Sequence, residues 1–112
     1  MAKPLHAITL DEAIELTTRY RQNRLENFPI CETFDKDSVI RMLSEDGAAN
    51  LRIYLGEKVT GDVCTVLCAA NESGEDILPS ANKNTFDGED ELILEDAKRC
   101  PELCPPSSPL NP

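Results

Sequence analysis

The spacing of hydrophobic positions changes along the chain, and the changes divide it into elements. Leu10, Ala13, Ile14, Thr17 and Tyr20 recur at helical spacing, which predicts a helix from Leu10 to about Asn23. Thr9 stands at the cap. Glu12 stands three residues on, where its carboxylate reaches back to the cap's backbone N–H to complete a capping box. The other face carries Glu12, Glu15, Arg19 and Gln22, and Glu15 four residues before Arg19 supports an exposed helix surface. This amphipathic helix is expected to lie on a core. At Phe28-Pro29 the pattern stops, because proline lacks the donor a helix needs and disfavours the helical conformation at Phe28. Residues 26–34 therefore read as a connector.

A second helix is expected from Asp35, whose carboxylate can cap it, with Phe34 and Val39 at the positions of a hydrophobic staple. Val39, Ile40 and Leu43 form its expected buried edge. Ser44-Glu45-Asp46-Gly47 supplies a polar stop with a glycine, which limits the helix to about nine residues.

From there the period drops to two. Leu51, Ile53 and Leu55 alternate with Arg52 and Tyr54, the pattern of a strand with one face buried. Gly56 to Gly61 reads as a turn, and Val63 to Ala70, nearly all apolar or small, suits a central strand covered on both faces. Asn71-Glu72-Ser73-Gly74 is a second turn, followed by a short third strand at Glu75-Asp76-Ile77-Leu78 that ends at Pro79. Residues 80–90 are polar. Leu92, Ile93, Leu94 and Ala97 fit a short helix or a short strand, and the acids before them and Lys98 and Arg99 after them favour helix, since they complement its dipole. Helices and strands segregate along the chain. The predicted fold is therefore α+β, with two N-terminal helices packed on a small three-stranded antiparallel sheet and a proline-rich C-terminal tail. Residues 1–7 form an arm, 8–98 a single domain and 99–112 a Cys/Pro-rich tail.

Size and charge narrow the function classes. The 112 residues form one domain, and the last twelve hold five of the eight prolines. With the arm and the tail outside the core, about 80 to 90 residues are left to fold, and a domain of that size buries only about 60–65% of the surface of its unfolded chain, so a partner or self-association would add needed stability. A formal net charge of −10 repels phosphate backbones, so nucleic acid is not an expected partner. No stretch approaches the roughly 20 apolar residues of a membrane span, and the N-terminus lacks the apolar core of a secretory signal. With Met1 native, the expected location is cytoplasmic.

The five cysteines include two pairs of equal spacing, Cys64/Cys68 and Cys100/Cys104. On one extended strand Cys64 and Cys68 are separated by about 13 Å, too far for one zinc or for a disulfide, so buried free thiols are expected there. Cys100 and Cys104 lie in a turn-prone segment that can close a disulfide, hold one edge of a metal site with Cys31, or do neither. The sole histidine, His6, is the only candidate for an activating base beside a thiol. A calcium loop fails: Gly88 at its sixth position places Lys83 at the first and Leu94 at the twelfth. The glycine-rich phosphate motif is missing, and Asn71-Glu72-Ser73 is a three-residue sequon match of the kind chance supplies. No catalytic residue and no cofactor is expected.

Ile8-Thr9-Leu10 opening a helix, Phe28-Pro29-Ile30-Cys31-Glu32-Thr33-Phe34, Leu51-Arg52-Ile53-Tyr54, Gly74-Glu75-Asp76-Ile77-Leu78 and the tail from Arg99-Cys100-Pro101 to Leu110-Asn111 together resemble a family of short bacterial proteins of unknown function with a cysteine-proline tail. The likeness covers nearly the whole chain. That family's tail opens on Cys-Pro-Pro, whereas Glu102 follows Cys100-Pro101 here. The resemblance implies no activity, cofactor or catalytic residue.

The leading expectation is a small protein–protein interaction module or self-assembling subunit. Its partner is a protein or a second copy, met through an edge strand at Leu51–Leu55 and a tail strap of Pro101, Pro105, Pro106, Pro109 and Leu110. Two alternatives stand beside it: a thiol-redox or zinc protein using Cys100, Cys104 and Cys31, and an acidic inhibitor of a basic protein site.

Overall fold

The computed structural model describes residues 3–79 and 91–112; the polar stretch expected at 80–90, with Lys83, Thr85 and Gly88, lies outside them. Helix α1 spans Leu10–Asn23, and both halves of its capping box form: Glu12 N–H donates to the Thr9 hydroxyl, and Thr9 N–H donates to the Glu12 carboxylate. Strand β1 follows at Cys31–Thr33, and helix α2 spans Lys36–Leu43, capped by Asp35, whose carboxylate accepts from Ser38 N–H at 3.0 Å. Both helix starts lie where their caps predict, because each cap satisfies a backbone donor three residues away.

A hairpin comes next, with β2 at Asn50–Glu57 and β3 at Val63–Ala70, antiparallel in unbroken register from Asn50↔Ala70 to Glu57↔Val63. The turn between them uses Gly61 at φ +91°, a conformation that resists other side chains. Strand β4, Asp76–Ile77, joins β3 on its other edge, so β3 is central as expected. Strand β5, Lys98–Cys100, spans the junction of domain and tail and pairs with β1. The described residues thus form a mixed α+β fold of two helices and antiparallel strands, arranged as a three-stranded and a two-stranded sheet.

Four expectations are corrected. The connector at 26–34 contains β1, a strand that its short length and the adjacent proline conceal. Leu92–Ala97 is not helical: Leu94 exchanges two backbone hydrogen bonds with Leu67, at 2.8 and 2.9 Å, extending the β4 side of the sheet. Of the charges that favoured a helix, Arg99 donates to the carbonyls of Asn27 and Val63 instead, and next to Leu94 the acids Glu95 and Asp96 pair with Lys58. On α2 the fully buried side chain is Met42, while Ile40 and Leu43 stay exposed. Finally, α1 does not bury itself on the sheet, since none of its residues is fully buried.

The core is small. Met42 of α2 packs with Leu67 and Ala69 of β3 and with Leu92, flanked by Phe34, Ala48, Ile77 and Leu94. Glu32 of β1 ties the two sheets together by accepting from the backbone N–H and the hydroxyl of Thr65 in β3. Among the described residues no helix is long and apolar enough to cross a membrane.

Candidate interaction surface

Leu51, Ile53 and Leu55 form the row that the period-two pattern assigns to the interior, yet they are 44%, 58% and 75% exposed. The reason is positional. Their register partners on β3 are Ala69, Leu67 and Thr65, and the first two are buried by Met42, whereas β2 lies beyond the reach of α2 at the edge of the sheet. Tyr20 of α1, with Pro29, Ile30 and Phe34, faces Leu51 and Ile53 of this row across a groove of about 410 Å³. The Tyr20 hydroxyl donates to the Pro29 carbonyl, which fixes the wall of that groove.

The opposite face of β2 is polar and satisfied. Arg52 and Tyr54 both donate to the Asp76 carboxylate, and Arg52 also reaches the Gly74 carbonyl at 2.8 Å. Hydrogen bonds from Tyr54 and then Arg52 hold the Asp76 carboxyl below its ordinary range, and the bond to Asp76 raises the Tyr54 phenol. Next to them on β3, on the same face, Cys64 and Cys68 are free and buried, as expected for two positions far apart on one strand. Burial pushes both thiols up, so at neutral pH they are protonated and poor nucleophiles.

The tail cysteines do meet. Cys100 and Cys104 form a disulfide with their Cα atoms 4.4 Å apart, so neither offers a thiolate to a metal. The third candidate, Cys31, is free, half-buried and directly opposite Cys100 in the β1–β5 ladder. No group of three or more His, Cys, Asp or Glu side chains is arranged to hold a metal ion among the described residues. His6 is exposed in a turn at φ +72°, and no hydrogen bond joins it to a cysteine.

Pro101, Pro105, Pro106, Pro109 and Leu110 are all exposed, and the end of the tail folds back on its own chain. Arg21 of α1 donates to the Leu110 carbonyl, and Ser108 and Asn111 exchange backbone bonds that close the last turn. The sequence missed the part of the site contributed by α1 and the Pro29 segment, for which the Tyr20 position and the proline were the available signals. No known protein-family model, curated protein or solved structure matches this chain.

Proposed function

We propose that the protein is a small acidic protein–protein interaction module or self-assembling subunit that works through the apolar row of β2. The observation that carries this reading is the exposure of Leu51, Ile53 and Leu55 on an edge strand. Edge strands are normally guarded by lysine, proline or a bulge, and this row has none of these. Contiguous apolar patches of this kind mark interaction sites more often than ordinary surface. Native mass spectrometry of the protein isolated gently from its own cells tests the reading. A multiple of the subunit mass or a bound protein is expected, and a bare monomer would sink it.

A second reading, thiol exchange in the tail, is favoured by one observation: Cys31 faces Cys100, and directly opposed antiparallel residues have Cα atoms about 4.5–5.5 Å apart, inside the Cα range of disulfides. In this reading the Cys31 thiolate attacks the Cys100 sulfur, a Cys31–Cys100 bond forms as Cys100–Cys104 breaks, and Cys104 leaves as a thiolate that takes up the proton Cys31 lost. The exchange is redox-neutral and needs no added oxidant. Alkylation at low pH followed by peptide mapping reads the pairing. A Cys31–Cys100 linked peptide is expected in part of the population, and its absence at all pH values near neutrality removes the reading.

A further inference from the structure

The backbone of β2 carries more information than its exposed side chains. In an antiparallel sheet the N–H and C=O of one residue point to the same side of the strand, and successive residues alternate. Leu67 directs both of its groups to Leu94, away from β2. Its register partner Ile53 therefore sits in a non-hydrogen-bonded pair, and the N–H and C=O of Ile53 point to the open edge. By the same alternation Leu51 and Leu55 also present their backbone groups outward, while Arg52 and Tyr54 bond to β3. The Lys58 N–H bond to the Asp62 carbonyl at 2.9 Å is in phase with this assignment. Among the described residues β3 is the one ladder partner of β2. The three residues with exposed apolar side chains thus all have open backbone groups.

We infer that a second copy of this chain occupies the β2 edge, antiparallel and about a two-fold axis at Ile53, so that Ile53 pairs with Ile53, and Leu51 with Leu55, of the other copy. This inference rests on the interaction reading above and names its partner. The strand itself selects a second copy. Leu51-Arg52-Ile53-Tyr54-Leu55 has the same polarity read in either direction, so in this register apolar residues meet only apolar ones and Arg52 meets Tyr54. Each pair among Leu51, Ile53 and Leu55 then exchanges two N–H to C=O bonds across the seam, as hydrogen-bonded pairs of a sheet do. Charge agrees: in a chain of formal net charge −10, Leu51 to Gly56 contains no acid, and no like charges stand directly opposite one another. A one-residue shift of register would oppose Arg52 to Leu55 and Leu51 to Gly56, losing the apolar pairs.

The test uses the full chain in sedimentation velocity and in mild oxidative cross-linking. Wild-type protein is expected to be a dimer, and Ile53→Lys, which sets two ammonium groups face to face, is expected to raise the dissociation constant at least about 100-fold. Ile53→Lys places a charge where the side chain is already exposed, and far-UV circular dichroism of its monomer checks that the fold persists. An Ile53→Cys variant should form a covalent dimer, because that residue faces its own copy. Glu57→Cys should not, because the axis sets the two Glu57 positions several residues apart, and wild type serves as the background for the native free cysteines. A wild-type chain that stays monomeric overturns self-pairing and leaves the interaction reading to its own native-mass test. A dimer that survives Ile53→Lys and fails to cross-link at Ile53→Cys overturns this seam while the interaction reading stands.

Discussion

Strands β2 and β3 are neighbours in one sheet, paired residue for residue, and both are apolar on the same face, yet they lead opposite lives. Leu67 is 5% exposed and its partner Ile53 is 58% exposed; Ala69 is 1% and its partner Leu51 is 44%. The difference is α2, which lays Met42 over β3 and ends there. An alternating pattern states which side chains share a face. It does not state whether anything covers that face, and in a domain of this size one eight-residue helix cannot cover two strands.

The contrast is most easily broken at its centre. Met42→Ala, measured by urea unfolding, is expected to lower stability by about 2–5 kcal/mol, because it opens a cavity in a core with few large side chains. Ile53→Ser on the neighbouring strand should change the stability of the monomer by less than about 0.5 kcal/mol, since the side chain is mostly in water. Measured at concentrations where wild type and variants are monomeric, equal losses from the two substitutions would mean that β2 is buried in the isolated chain after all.

The helix caps sharpen the same comparison. Asp35→Ala removes the cap of the helix that carries Met42 and should cost about 1 kcal/mol of global stability. Thr9→Ala removes an equally well-formed cap from α1, but α1 buries no residue fully, so its fraying should cost less in global unfolding and appear chiefly as faster amide exchange in residues 10–14. A larger global loss from Thr9→Ala than from Asp35→Ala would reverse the ranking of the two helices.

The smallest effect is expected in acid, on the polar face of β2. Asp76 has its carboxyl held below the ordinary aspartate range by hydrogen bonds from Tyr54 and then Arg52, so its contribution is present above the unfolded-state range and is lost as pH falls through the lower folded-state range. An Asp76→Asn variant should therefore show a weaker loss of stability than wild type as pH is taken below about 4. Identical acid profiles would show that the Arg52 and Tyr54 contacts are not maintained in solution.

How far the sequence could be read varied with the range of each interaction. The caps at Thr9 and Asp35 act over three residues, and the β2–β3 hairpin closes over a short turn, so these elements were legible with boundaries close to those observed. The candidate strand at Leu51–Leu55 was also legible as an edge, but its apolar row was assigned to the interior. Strand β1 was invisible because its partner β5 pairs through Cys31↔Cys100, far away along the chain, and three residues beside a proline have no periodicity to detect. Leu94 was misread for a related reason. Its conformation answers to the open N–H and C=O of Leu67, and the charges beside it answer to Lys58 and to the carbonyls under Arg99.

By itself, then, the sequence determined the two helices and their starts, the central place of Val63–Ala70, and the separation of Cys64 from Cys68, because each follows from caps, periods and spacings acting within a few residues. Only the tertiary structure decided that Cys100 joins Cys104 while Cys31 stays free opposite it, that the tail returns to Arg21, and that α2 covers β3 and stops short of β2. Those outcomes depend on which distant segments compete for one small core, and a core that Met42, Leu67 and Leu92 can fill leaves the row at Ile53 uncovered.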